Sequence, residues 1–98
     1  MEKRRPHCPL REIQRLIDAG QVRATLSALV GGAALGLDFD GILGVVSALT
    51  TADFYKSMTT QADHRVWQDV YRPITPVGEV YLKLTVIDDL LVVTFKEL

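Results

Sequence analysis

The sequence predicts an α+β fold, with N-terminal helices packed on one face of a C-terminal antiparallel sheet. Three observations predict it. Apolar residues recur at helical spacing between Leu10 and Leu49. From Phe54 onward, β-branched and aromatic residues alternate with polar ones. Helices followed by consecutive strands segregate into two layers, whereas alternating elements would give a parallel sheet. The 98 residues are expected to form one domain, spanning 1–98, with a modest core.

The first helix is placed after Pro9, which suits a helix start because no backbone N–H is needed there. Leu10, Ile13, Leu16 and Ile17 then share a face, and Gly20 ends the helix. Val22–Ala24 reads as a short extended link. A second helix starts with Thr25 as N-cap, and Leu26, Leu29, Val30 and Ala33 are expected to face inward. Gly31 and Gly32 within it cost roughly 1 kcal/mol each against alanine. Gly36 ends it. Asp38 or Asp40 caps a third helix carrying Ile42, Val45, Val46 and Leu49. Thr50–Asp53 reads as a turn with local side-chain capping.

The strands are Phe54–Met58, Arg65–Arg72, Glu79–Ile87 and Leu90–Lys96. Thr59–His64 is a polar loop, and Pro73, Pro76 and Gly78 mark another. Side chains alternate across a strand. Val80, Leu82, Leu84 and Val86 therefore share the covered face, with Leu91, Val93 and Phe95 from the last strand. Tyr81, Lys83 and Thr85 share the open face with Leu90, Val92, Thr94 and Lys96. A two-residue turn at Asp88-Asp89 sets Ile87 against Leu90, Thr85 against Val92, Lys83 against Thr94 and Tyr81 against Lys96. If the preceding hairpin pairs Tyr71 with Gly78, Gln68 opposes Tyr81. Arg72 joins that open face, and Asp69 falls awkwardly on the covered side.

Apolar residues make up 48% of the chain, which excludes disorder as the default. The net charge of −1 does not announce a nucleic-acid binder. Its distribution is more telling. Lys3, Arg4, Arg5, Arg11, Arg15 and Arg23 fall in the first quarter, while Asp38, Asp40 and Asp53 occupy a stretch without bases until Lys56. One cysteine, Cys8, excludes an internal disulfide and fits a reducing compartment. His7, Cys8 and His64 are the only histidines and cysteine, without zinc-like spacing, so no metal is expected. Pro6, His7 and Pro9 interrupt any signal-peptide core, and no apolar run approaches the ~20 residues of a membrane span. A cytoplasmic location is expected.

The open face offers Gln68, Tyr81, Lys83 and Lys96, with Lys56 from a neighbouring strand. It is a cationic, hydrogen-bonding surface without the carboxylate cluster that holds ions in metal-dependent phosphoryl chemistry. Lys56 suits a phosphate clamp, or a general base if its pKa is depressed. The Tyr81 hydroxyl can exchange a proton with a reacting ribose phosphate. Gln68 can hold an oxygen or a base edge. His64, in a polar loop, is a rival acid or base. Trp67 and Tyr71 read as core or interface residues. Each of these residues has a commoner bland role, so only their convergence on one face carries weight.

The chain resembles the MqsR (motility quorum-sensing regulator) toxins of bacterial toxin–antitoxin pairs. The resemblance runs through Met1–Arg4, Pro6-His7, Gly20–Arg23, Leu35–Gly41, Asp53–Thr60, Trp67–Pro73, Val80–Lys83 and Phe95–Glu97. It implies a RelE-like ribonuclease fold. It also implies metal-independent cleavage of mRNA at GC-containing (GCU-like) triplets, without cofactors. The family residues that carry over are Lys56, Gln68 and Tyr81, with Lys96, His64, Lys83 and Arg72 as further catalytic or RNA-binding candidates. The implied partner is an MqsA-like antitoxin. Its zinc-bearing N-terminal domain would contact the toxin, and its helix-turn-helix domain would bind the operon's promoter. Gly31–Ala34 and Ile74–Val77 depart from the family pattern.

The implied reaction uses the RNA's own 2′-OH as nucleophile and leaves a 2′,3′-cyclic phosphate and a 5′-OH. The competing expectation is a non-catalytic module that binds RNA or protein on the same basic face.

Overall fold

The computed structural model describes residues 1–98. Its helices are Leu10–Asp18 (α1), Leu26–Ala34 (α2) and Phe39–Ser47 (α3). Its strands are Glu2–Lys3 (β1), Val22–Ala24 (β2), Phe54–Thr59 (β3), Trp67–Tyr71 (β4), Ile74–Thr75 (β5), Gly78–Ile87 (β6) and Asp89–Glu97 (β7). The sheet runs β1-β3-β4-β6-β7-β2, and β5 pairs with β6 beside this path. The central pairings are antiparallel, as expected. The link Val22–Ala24 is instead an edge strand that runs parallel to β7, so the sheet is mixed. No single helix is long and apolar enough to cross a membrane.

Caps fall where local chemistry puts them. Thr25 and Asp38 accept from the backbone N–H of Ala28 and Gly41 at the starts of α2 and α3. Thr50 and Asp53 form a reciprocal capping box before β3. The core lies between the helices and one sheet face. Ile13 and Leu16 of α1 and Ile42 and Val46 of α3 meet Tyr71, Val80, Leu82, Leu84, Leu90, Val92 and Phe95.

The inward face of α2 differs from the expected one. Leu26 and Val30 are 77% and 60% exposed, whereas Ala28 and Gly32 are buried. The helix packs through its smallest residues. A methyl on Gly31 would run into the Phe95 carbonyl oxygen, and one on Gly32 would lie 2.5 Å from Ile42 Cδ1. Periodicity ranks residues by hydrophobicity and so favoured the leucines, but the close approach of the helix backbone to β7 admits only glycine. Gly31→Ala is therefore expected to cost about 1–3 kcal/mol through overpacking, despite alanine's better helix propensity. Gly44→Ala, where an added methyl meets nothing, is expected to gain up to about 1 kcal/mol. Denaturant unfolding of the two variants checks the opposite signs.

The last hairpin keeps the expected pairs Tyr81–Lys96 and Lys83–Thr94. Nearer the turn it departs by one residue. The chain reverses around Asp88 alone, at φ 66°, so Ile87 faces Asp89 and Thr85 faces Leu91. A bulge at Val93, left between the pairs Leu84–Val92 and Lys83–Thr94, restores the register. Before the bulge the faces of β7 are exchanged. Leu90 and Val92 are buried in the core, and Leu91 and Val93 are not. The expected core set Leu91, Val93 and Phe95 is thus corrected to Leu90, Val92 and Phe95.

The β4–β6 register is corrected too. Tyr71 pairs with Leu82, not Gly78. The short β5 folds back on Gly78 and Glu79 and occupies the start of β6. The slip is four residues, an even number, so Gln68 stays on the expected face but no longer opposes Tyr81.

Asp69 does lie on the covered side, and it is 3% exposed. Its carboxylate accepts from the Ser57 hydroxyl at 2.6 Å and from the backbone N–H groups of His7 and Cys8 at 2.9 Å each. The aspartate ties the N-terminal segment to the sheet. The His7 ring then stacks on Trp67 at 5.4 Å, with Lys3 Nζ 4.1 Å from the Trp67 ring centroid.

Candidate active site

The open face gathers its cations through cross-strand pairing. Lys56 of β3 opposes Val70 of β4, which opposes Lys83 of β6, which opposes Thr94 of β7. Tyr81 and Lys96 form the neighbouring pair on the same face. Lys96 Nζ lies 5.4 Å and Lys83 Nζ 5.9 Å from the Tyr81 ring centroid. Val70, between two of the lysines, is fully buried, so the lysine stems close over an apolar floor.

The three lysines are not equivalent. Lys56 donates to a Glu2 carboxylate oxygen at 2.7 Å. That hydrogen bond holds the Lys56 ammonium above the ordinary lysine range. Lys83 moves the other way. Burial lowers its pKa first, and the positive charges of Lys96 and Lys56 lower it further. The face thus sets a lysine held above its ordinary pKa beside one held below it.

Gln68 pairs with Met58, two residues along from the Lys56 row. That places it about 7 Å along the strand from Val70, but four residues, about 13 Å, from the position facing Tyr81. It flanks the lysines without touching the tyrosine. His64 is exposed in the loop between β3 and β4, beyond the Thr59–Trp67 pair. The structure does not bring it to the lysine cluster. Arg72 does join the cluster's rim, with its guanidinium carbon 4.9 Å from the Tyr55 ring centroid.

Three residues at the site escaped the sequence reading. Glu2 reaches Lys56 because β1 adds to the sheet beside β3. Tyr55 should face away from Lys56 in a regular strand. A register shift between Phe54 and Lys56 brings it into the cluster, with its ring 5.5 Å from Lys56 Nζ. Glu79 lines a recess with Tyr55 and Arg72. No local pattern signals either the β1 pairing or the bulge.

The remaining groups stand apart from this chemistry. The Cys8 thiol is pushed up to about 11, chiefly by burial, and stays protonated near neutrality. The Tyr71 hydroxyl is buried without a hydrogen-bond partner, and burial raises its pKa. Among the N-terminal cations, Arg15 pairs with Glu12 and Arg23 with Asp89, which removes them from a continuous basic track. A larger cavity of about 390 Å³ lies between α3 and the β4–β6 connection, against Leu37, Val45, Pro73 and Val77. No cationic side chain lines it, so the reactive groups converge elsewhere.

Chemically, the open face can hold a phosphate between ammonium groups, and it sets a lysine of lowered pKa beside a phenolic hydroxyl. A profile of the family described as "motility quorum-sensing regulator, toxin of MqsA" matches residues 5–97. A protein of Escherichia coli (strain K12), named mRNA interferase toxin MqsR, is 59% identical over 97 residues, covering 99% of this chain and 99% of that protein.

Proposed function

The chain belongs to the MqsR toxin family, and from that premise we propose how its open sheet face cleaves RNA. It is an mRNA interferase, an endoribonuclease toxin with mRNA as substrate and a cognate antitoxin as partner. The observation that supports the site is the approach of Lys83 and Lys96 to the Tyr81 ring, with Lys56 across Val70 from Lys83 on the same face.

In this reading, Lys56 and Lys96 hold the non-bridging oxygens of the scissile phosphate. The neutral Lys83 amine takes the proton of the ribose 2′-OH. The 2′ oxygen attacks the adjacent phosphorus, and the bond from phosphorus to the 5′ oxygen breaks. The Tyr81 hydroxyl gives its proton to the departing 5′ oxygen, and Lys83 then reprotonates the phenolate. The products are a 2′,3′-cyclic phosphate and a 5′-OH. Gln68 orients the flanking ribose, and Arg72 contacts the strand at the rim. His64, away from the cluster, has at most an RNA-binding role.

The reading extends to GC-containing cut sites, cytoplasmic action on translated message, and an MqsA-like antitoxin with a zinc-bearing N-terminal domain and a promoter-binding helix-turn-helix. The matched family's description as the toxin of MqsA supports the antitoxin. Site-selective cuts in purified mRNA, with 2′,3′-cyclic phosphate ends, are the expected result. Growth arrest on induction, relieved by the neighbouring antitoxin gene, is the cellular counterpart. Bound but uncut RNA would refute cleavage by this chain.

The assignment of Lys83 as base has its own signature. A lowered pKa leaves more neutral amine at a given pH. Cleavage should therefore rise with pH through a midpoint below the ordinary lysine value of about 10.4. Lys83→Arg leaves a permanent cation that cannot accept a proton, and is expected to lower kcat by about 100-fold or more and to flatten that rise. A pH–rate profile unchanged by the substitution excludes Lys83.

A further inference from the structure

Next to the lysine cluster, at the end of the sheet where β3 begins, lies a polar recess of about 260 Å³. Its lining includes Tyr55, Arg72, Glu79, Ile74 and Asp53, whose carboxylate is engaged by the backbone N–H of Thr50. It falls below the roughly 300–1,000 Å³ of sites for drug-sized ligands, a size for one heterocycle. Tyr55 is 40% exposed, and the Arg72 guanidinium packs at 4.9 Å from its ring centroid. Such a guanidinium-backed ring is a sequence-tolerant platform for a nucleobase.

Arg72 and Glu79 line one recess but form no ion pair with each other, and neither side chain makes a hydrogen bond within the chain. Their donors and acceptors are free for a guest. The recess also lies at the correct reach from the chemistry. Tyr55 is covalently next to Lys56, and its ring centroid is 5.5 Å from Lys56 Nζ. A phosphate held by Lys56 would carry its own base, or the next one, over Tyr55.

We propose that this recess is a nucleobase subsite, in which Tyr55 and Arg72 stack one base beside the scissile phosphate while Glu79 selects bases that carry an exocyclic amine. A carboxylate accepts from the amine of cytosine, adenine or guanine. Uracil has no amine and presents carbonyl oxygens there, which a carboxylate repels. The arginine donates to the remaining acceptors of the chosen base. The proposal rests on the reading of the lysine–Tyr81 cluster as the cleavage centre.

The test uses the full chain and RNA oligonucleotides randomised on both sides of one cut site, with sequencing of the cut ends. Wild type should disfavour uracil at one position by tenfold or more. Glu79→Gln, whose amide donates as well as accepts, should reduce that discrimination to within about twofold. Tyr55→Leu should raise KM by about tenfold, and Tyr55→Phe should restore it. Thermal melting confirms that these surface variants are folded. A cut-site profile unchanged in Glu79→Gln, with KM unchanged in Tyr55→Leu, overturns the subsite while Lys56→Ala remains inactive. Wild-type cleavage by Lys56→Ala overturns the cleavage centre and the subsite with it.

Discussion

Tyr81→Phe protein is expected to leave mRNA essentially uncut, with cleavage reduced by about 100- to 10,000-fold, the range for loss of a positioned acid. Phenylalanine keeps the ring that Lys83 and Lys96 flank, so the change removes only a hydroxyl. Lys56→Ala should cost about 100- to 1,000-fold, as loss of one preorganised charge at a developing oxyanion does. It has a second effect. Glu2, now without Lys56, would face the phosphate with an uncompensated carboxylate. A Glu2→Gln/Lys56→Ala double variant should therefore recover part of the loss. Single-turnover cleavage of a short RNA measures each, and induction of either single variant should no longer arrest growth. Folded Tyr81→Phe and Lys56→Ala proteins that cut at the wild-type rate would exclude the assignment.

The largest effect on stability is expected at a residue outside the chemistry. Asp69→Ala strands the Ser57 hydroxyl and the N–H groups of His7 and Cys8, all three served by one carboxylate. A buried donor left without a partner costs roughly 1–3 kcal/mol. The backbone segment at His7–Cys8 can swing out to water and recover part of this, so a net loss of about 3–5 kcal/mol is expected. Small domains have only about 5–15 kcal/mol in total. Asp69→Asn keeps one oxygen but turns an amide against an N–H, and should fall between the two. The single tryptophan reports the mechanism. Once the segment detaches, His7 leaves the Trp67 ring, and the fluorescence should shift before global unfolding. A denaturant series in which all three proteins unfold together would refute this role.

The helices and the four longer strands were legible because their signals are local. Thr25 and Asp38 cap helices by bonding N–H groups three residues on, and β-branched alternation marks β6 and β7. Tyr81 and Lys96 could be paired in advance because a bulge at Val93 cancels the one-residue offset at Asp88. The inward face of α2 was not legible. Hydrophobicity favours leucine at a buried position, whereas the deciding constraint is that any Cβ on Gly31 would run into the Phe95 carbonyl. The position of Gln68 was missed for a similar reason. Its register depends on β5 folding back onto β6, and two residues of pairing leave almost no periodic signal.

By itself, then, the sequence determined the layers, the alternation that puts Lys56, Tyr81, Lys83 and Lys96 on one face, and the family. Each of these depends on neighbours in the chain or on residue identity. Only the tertiary structure decided which lysine has its pKa raised and which has it lowered. Glu2 comes to Lys56 from 54 residues away, and the burial and two like charges around Lys83 come from three different strands. It also decided that Tyr55 joins the site and that Asp69 is satisfied where it is buried. Electrostatic shifts and hydrogen-bond satisfaction depend on distances through space, and those are fixed only when the strands pair.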